Sequence, residues 1–170
     1  MYKRQLFAPF DCAALLYREP RLAKAVHSQD ASYLEVLHTD APEEWNPSDY
    51  AYHLTRRARG MPLWFSLAVN GTDAYREAVE TVLAVTRRTA DLIEALPHLD
   101  LVRRPELSVV LFRRTGWDRD DYEKWSARLL EDQVGFVMPT TWEDEPVCRL
   151  ALLHPDTTVE MIGEILATMS

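Results

Sequence analysis

The stretch Leu6–Tyr17, with the sequence LFAPFDCAALLY, decides how the rest of the chain is interpreted. It is rich in apolar and aromatic residues and has no helical stripe, so it predicts a buried strand. No other strand is predicted in residues 1–60. Because a single strand cannot form a sheet, this region needs partner strands from elsewhere. We therefore expect the chain to be a fragment of a larger protein.

The apolar pattern is lost from Arg18 to Pro47, where prolines and scattered charges predict a long irregular segment with one short helix. Segments of this kind are commonly either disordered or lids over functional sites. The helical period returns at Tyr50 and is interrupted at Asn70-Gly71. A long helix then runs to Pro97, where we place the main boundary of the chain.

Residues 98–170 are predicted to form a compact α/β unit. The predicted strands are 107–113, 134–139 and 147–153, and the predicted helices are 118–132 and a last one that opens with a capping box from Thr157 to Glu160. Tyr122, Trp125 and Leu129 share one face of the first helix. The apolar face predicted for the last helix is Met161, Ile162, Ile165, Leu166 and Met169.

Composition excludes several classes of function. The formal net charge of −8 disfavours a nucleic-acid partner, because an acidic surface repels phosphates.

Cys12 and Cys148 lie in apolar runs and predict buried thiols in a reducing compartment. No apolar stretch approaches the roughly 20 residues that span a bilayer, so we expect a cytoplasmic protein. The five histidines have no metal-ligand spacing, and no metal site is predicted.

A resemblance to a known family begins at Leu6, Phe10, Asp11 and Cys12 and extends to about Thr168. In the group II amino-acid decarboxylases, which depend on pyridoxal 5'-phosphate, His-Lys-Trp-Leu is followed after three residues by Phe-Asp-Cys, and these four residues fall in that register. The resemblance implies the carboxy-terminal part of a fold-type-I α/β enzyme. That part comprises the end of a large domain, a long connecting helix and a small α/β domain.

The cofactor lysine of that family falls at position 4, where this chain has Arg4, with Lys3 one place too early. A guanidinium is too basic and too delocalised to form the reversible imine that a lysine amine forms with the cofactor aldehyde. The mismatch ends abruptly at Leu6, so we interpret residues 1–5 as foreign to the native gene. A catalytically inactive relative with a native Arg4 is the alternative.

Tyr33 lies 22 residues after Asp11, where the family places the tyrosine of its mobile catalytic loop. The resemblance implies that Tyr33 protonates the carbon that has lost carbon dioxide, in the active site of the neighbouring subunit. It also implies that a related branch, which makes aldehydes, carries Phe here, so Tyr33 favours plain decarboxylation. From the residues alone, a loop tyrosine that covers apolar surface is the alternative.

Arg56, followed by two further arginines and then by Trp64-Phe65, matches the family pattern Arg-Arg-x-Arg, four residues, Trp-Phe. The resemblance implies that Thr55 and Arg56 bind the cofactor phosphate across a dimer interface. The alternative for these arginines is an ordinary solvated helix face.

Arg149 interrupts an apolar strand and is predicted to share a face with Val147 and Ala151. A buried arginine needs a carboxylate, which the protein itself could provide. The resemblance instead places Arg149 near the substrate carboxylate or the closed loop. The planar guanidinium could bind a carboxylate there through two hydrogen bonds. It likewise places Phe10 against the substrate side chain, with a core phenylalanine as the alternative.

We therefore expect three regions: 1–60, a remnant of the large cofactor-binding domain with the catalytic loop; 61–97, connecting helices; and 98–170, the small domain. The parent protein is expected to be a homodimer that removes the α-carboxylate of an L-amino acid. The chain alone is expected to be inactive. A free-standing α/β regulatory or dimerisation module is the alternative function.

Overall fold

A computed structural model describes residues 15–27, 47–53, 55 and 57–170. The described residues divide into two compact units, one ending at Trp64 and the other beginning at Phe65. The unit before this point contains a helix and a 3₁₀ turn, and the unit after it contains the four strands that the structure describes.

In the first unit, helix α1 spans Pro20–His27 and a 3₁₀ turn spans Pro47–Tyr50. The two are joined by an ion pair in which Lys24 Nζ lies 3.0 Å from Asp49 Oδ2. The ring of His27 also packs edge-on against Tyr52, with centroids 4.8 Å apart. The short helix predicted after Arg18 is confirmed.

The predicted strand Leu6–Tyr17 is wrong over its last three residues, Leu15, Leu16 and Tyr17. They belong to no strand, and their exposed fractions are 75%, 92% and 38%. No described strand pairs with them, and an unpaired apolar run has no sheet to stabilise it. Residues 6–14 lie outside the described residues, and so does most of the irregular segment.

Helix α2 spans Met61–Ala95 and bends at Gly71, where φ is 77° and ψ is 163°. This backbone conformation is one that residues with a Cβ rarely adopt. Asn70 Nδ2 donates to the Ser66 carbonyl oxygen at 2.9 Å, and the hydroxyls of Ser66 and Tyr75 lie 2.6 Å apart across the bend. The interruption predicted at Asn70-Gly71 is confirmed.

The second unit is built on an antiparallel sheet with the strand order β1-β2-β4-β3. The strands are β1 Leu99–Leu101, β2 Val109–Arg114, β3 Met138–Trp142 and β4 Glu145–Ala151, and helices α3 Arg119–Glu131 and α4 Val159–Ala167 complete the unit. Phe112 pairs with Leu101 on one side and with Cys148 on the other. The central strands β2 and β4 therefore place their alternate residues on common faces.

One face of this sheet forms the core. Val110 and Phe112 of β2 and Cys148 of β4 are fully buried in one cluster. From the helices, Tyr122, Trp125 and Leu129 of α3, Ile93 of α2, and Ile162 and Leu166 of α4 join the same cluster. The predicted apolar face of α3 is thus confirmed.

Hydrogen bonds join the end of α4 to the rest of the unit. Trp125 Nε1 donates to Thr168 Oγ1 at 2.8 Å, and Arg114 Nε donates to the Met169 carbonyl oxygen at 2.7 Å. The second bond brings a cation to the carboxyl end of a helix, where the last carbonyl groups have no partners within the helix.

Strand β3 begins four residues later than predicted, because the preceding residues finish helix α3. Gln133 has φ 57°, its N–H donates to the Leu130 carbonyl, and the Val134 N–H donates to the Leu129 carbonyl. These are the two bonds of a Schellman motif, with glutamine at the position that usually holds glycine.

Strand β4 begins two residues earlier than predicted. Trp142 pairs with Glu145, and the two residues between them, Glu143 and Asp144, have φ values of 51° and 63°. Two consecutive positive φ values form the tight turn that suits a two-residue hairpin loop. The two strands are therefore a single hairpin.

At α4 the predicted capping box is wrong by one residue. Thr158, not Thr157, is the N-cap, and its hydroxyl accepts from the Met161 N–H. The apolar face is confirmed at Ile162, Leu166 and Met169, but Met161 is 52% exposed.

Trp125 is expected to be a major contributor to the stability of the second unit. Trp125→Ala leaves a large cavity and removes the bond to Thr168, and should lower the free energy of unfolding by about 3–5 kcal/mol. Trp142→Ala is the control, because Trp142 is 37% exposed. Urea unfolding measures both. Equal losses for the two variants would contradict the core described above.

Two glycines are expected to respond to alanine with opposite signs. Gly71→Ala forces a Cβ into the left-handed region and should destabilise the protein by about 1–2 kcal/mol. Gly163→Ala lies inside α4, where a Cβ would meet Leu92 at an ordinary 3.8 Å, and should stabilise by about 0.5–1 kcal/mol. Thermal unfolding measures the difference, and equal shifts of the two midpoints would contradict the kink at Gly71.

Candidate functional site

The structure describes two of the five predicted site residues. Phe10, Tyr33 and Arg56 lie outside the described residues. Thr55 is exposed in the first unit, and Arg149 lies on β4 of the second. Only Thr55 and Arg149 are therefore described, each in a different unit, and the roles given to all five residues stay predictions.

Arg149 is exposed, so its predicted burial is wrong. Its neighbours in β4, Cys148 and Leu150, point into the core, and strand alternation sends Arg149 to the opposite face of the sheet. On that face it shares register positions with Leu111 of β2 and Met138 of β3. The predicted shared face with Val147 and Ala151 agrees with this alternation.

A second arginine on the same sheet face, Arg113, was missed by sequence reasoning. Its Nη2 lies 2.7 Å from Glu145 Oε2, and its Nη1 lies 3.6 Å from Asp100 Oδ2. The cross-strand pairing of Asp100 with Arg113 explains the second contact. Since Asp100 and Glu145 are remote in sequence, only the sheet register could have revealed this cluster.

The two arginines differ in their partners. The Arg113 guanidinium has two carboxylate partners, whereas no described residue forms a hydrogen bond or an ion pair with the side chain of Arg149. An exposed guanidinium without an internal partner is available to an external carboxylate or phosphate. Arg149 is thus the better anion-binding candidate on this face.

The buried polar side chains of the second unit are structural. Burial raises the pKa of the Cys148 thiol to about 12, so it stays protonated and is a poor nucleophile. Burial also raises the pKa of Tyr122, whose hydroxyl accepts the Arg114 N–H at 2.8 Å and ties α3 to β2. No cluster of three metal-ligating side chains occurs among the residues that the structure describes.

Lysine amines are scarce in this chain. Of its three lysines, Lys3 lies outside the described residues. Lys24 is bound to Asp49, and Lys124 Nζ lies 2.5 Å from Asp120 Oδ2. The hydrogen bond to the carboxylate raises the pKa of each of these two lysines.

The described residues do not fit a pyridoxal 5'-phosphate site by themselves. The cofactor needs a lysine amine in its neutral form, and both described lysines are held as cations by carboxylates. Thr55 is exposed, and Arg56, its predicted companion at the phosphate, is not described. No described helix has both the length and the apolar content to cross a membrane.

The family model and the similar proteins point to the same family. The model of the pyridoxal-dependent decarboxylase conserved domain matches residues 3–115. The chain is 24% identical over 168 residues to the aromatic-L-amino-acid decarboxylase of Bacillus atrophaeus, covering 95% of this chain and 35% of that protein. It is 26% identical over 112 residues to the L-2,4-diaminobutyrate decarboxylase of Acinetobacter baumannii, covering 66% of this chain and 22% of that protein.

Solved structures share the fold. A tryptophan decarboxylase from Catharanthus roseus, in complex with L-tryptophan, superposes with a TM-score of 0.70 at 15% identity, over 89% of this chain and 33% of that one. A structure described as Oryza sativa TDC with PLP and tryptamine superposes with a TM-score of 0.69 at 20% identity, over 86% of this chain and 33% of that one.

The chain spans about a third of the length of these relatives at most. The mixture of helices and sheet in the described residues matches the corresponding part of decarboxylase structures, which confirms the predicted α/β, fold-type-I class. Together with the match over residues 3–115, this establishes that the chain belongs to the pyridoxal-dependent decarboxylase family.

Proposed function

We propose that this chain is the carboxy-terminal part of a pyridoxal-phosphate-dependent enzyme that converts an L-amino acid to an amine and carbon dioxide. The observation that carries the proposal is the family match over residues 3–115. It is supported by relatives named as decarboxylases of aromatic amino acids and of diaminobutyrate. The alternative, a regulatory or dimerisation module without catalysis, is not favoured by these relatives.

The parent protein would be divided as the sequence predicts. Residues 1–60 would be a remnant of the cofactor-binding domain, 61–97 the connecting helices, and 98–170 the small domain. The bend at Gly71 supports more than one helix in the connecting region. The parent would act as a homodimer in the cytoplasm.

Tyr33 would act as the acid that protonates the former α-carbon, after the cofactor has served as the electron sink for loss of carbon dioxide. Phe10 would contact the substrate side chain, and Thr55 and Arg56 would bind the cofactor phosphate of the neighbouring subunit. These roles rest on the family resemblance.

Arg149 would bind a carboxylate, either of the substrate or of the closed catalytic loop. Support comes from the contrast with Arg113, whose charge is already matched by Glu145 and Asp100. The Arg149 side chain has no such partner among the described residues. An external carboxylate could therefore pair with its guanidinium without displacing an internal ion pair.

The chain alone would be inactive, because the position that the family gives to the cofactor lysine holds Arg4. We propose that the complete reading frame encodes His-Lys-Trp immediately before Leu6, and that this lysine completes the enzyme. A frame that retains Arg4 would favour the catalytically inactive relative.

Tyr33→Phe, made in the protein translated from that complete frame, tests the proposed function. Removing a positioned proton donor should lower kcat for amine formation about 100-fold or more, while the absorbance of the bound cofactor is unchanged. Tyr52→Phe is the matched control, because Tyr52 is 75% exposed, and it should keep full activity. Amine formation by Tyr33→Phe at the unaltered rate would contradict the role of Tyr33, and absence of any decarboxylation by the unaltered protein would contradict the function.

A further inference from the structure

The dipeptide Asn70-Gly71 at the bend of α2 places an exposed side-chain amide directly before a residue without a Cβ. The backbone nitrogen that follows an asparagine can attack Cγ of the asparagine side chain and close a cyclic imide. A Cβ on the following residue obstructs this approach, and glycine offers no such obstruction. The bend therefore combines the two residue types between which ring closure is sterically easiest.

The surroundings of Gly71 are open. Beyond its chain neighbours and the adjacent helix backbone, no heavy atom lies within 4 Å of the position that a Cβ on Gly71 would take. Residues 68–74 are all exposed, so water reaches the bend. Gly71 itself has left the helical conformation, with φ 77° and ψ 163°. The main chain is thus not held here by the regular φ and ψ angles of a helix interior.

The reaction at this site needs only water. The Gly71 nitrogen loses its proton to solvent and forms a bond to Asn70 Cγ, while the bond from Cγ to Nδ2 breaks and Nδ2 leaves as ammonia after taking up a proton. Water then adds to one of the two carbonyl carbons of the cyclic imide, and the bond from that carbon to the ring nitrogen breaks. Opening at Cγ gives aspartate, and opening at the backbone carbonyl carbon gives isoaspartate.

The side-chain amide of Asn70 makes contacts that span the bend. Its Nδ2 donates to the Ser66 carbonyl oxygen at 2.9 Å and lies 3.3 Å from Ser66 Oγ. Ser66 Oγ in turn lies 2.6 Å from Tyr75 Oη. Ser66 and Asn70 precede Gly71, whereas Tyr75 follows it. These groups therefore form a hydrogen-bonded chain from one half of α2 to the other.

We propose that Asn70 is a site of spontaneous deamidation, and that its conversion loosens the bend of α2. A carboxylate cannot donate to the Ser66 carbonyl oxygen, and it adds negative charge at the carboxyl end of the first half of the helix, where such charge is unfavourable. Isoaspartate also lengthens the main chain by one atom at the bend. Because the ammonia is lost to solvent, the change accumulates with the age of the chain.

Peptide mapping by mass spectrometry tests the site. The purified 170-residue chain is aged in mildly alkaline buffer until a sample unfolded in urea is largely modified at Asn70. The folded chain is expected to contain aspartate and isoaspartate at position 70. Asn46 is the internal control, because it precedes Pro47, whose nitrogen has no hydrogen and cannot close the ring.

Gly71→Ala supplies a second control on the same chain. The added Cβ obstructs the attacking nitrogen, so modification of Asn70 should slow by about tenfold or more. The comparison is made in urea, where the strain that alanine introduces at the bend of the folded chain has no influence.

Asn70→Asp and Asn70→Ser test the structural consequence. Aspartate reproduces the charged product, whereas the serine hydroxyl is uncharged and can still donate to the carbonyl four residues earlier. Backbone amides of residues 65–70 should exchange their hydrogens about threefold faster in Asn70→Asp than in Asn70→Ser, because only the first carries the unfavourable charge. Hydrogen exchange followed by mass spectrometry measures the difference.

Two results would overturn the proposal. An unmodified position 70 in the aged folded chain, or equal modification of Asn46 and Asn70, would remove the site. Equal exchange rates in Asn70→Asp and Asn70→Ser would remove the loosening of the bend. None of these measurements involves amine formation, so their outcome is independent of the proposed reaction.

Discussion

Burial of one face of a four-stranded antiparallel sheet is the constraint on which the second unit depends. Val110, Phe112 and Cys148 point to this face because alternate residues of paired strands share a side, and the helices contribute Tyr122 and Trp125. The hydrogen bond from Trp125 to Thr168 then joins α3 to the end of α4. Because successive residues of a strand point to opposite sides of the sheet, the residues between these core positions point to the other face.

This alternation explains on which face of the sheet the charged groups lie. Arg113 and Arg149 lie on the opposite face because their neighbours enter the core. The register brings Asp100 beside Arg113, and the hairpin turn at Glu143-Asp144 places Glu145 where it can reach the same guanidinium. Arg149 acquires no such partner among the described residues. The chemical difference between the two arginines is therefore a consequence of sheet register.

The sequence predicted α3 well because several signals agree there: a capping aspartate at Asp118 and apolar residues spaced by three or four. It failed at the β3–β4 hairpin, because Glu143-Asp144 is an unusual pair for a turn that requires positive φ, and Gln133 fills a position where glycine is the usual signal. The exposure of Arg149 could not be predicted, since an apolar strand does not reveal which of its faces is covered. For Tyr33 only the family resemblance gave a role.

The family match supports one proposal: that this chain is part of a decarboxylase and that the amine which binds its cofactor lies outside the described residues. Its most direct test is release of labelled carbon dioxide from carboxyl-labelled L-amino acids, with pyridoxal 5'-phosphate present, by the complete protein and by the 170-residue chain in parallel. The account predicts release by the complete protein and none by the chain alone. Release by the chain alone at a comparable rate would contradict it.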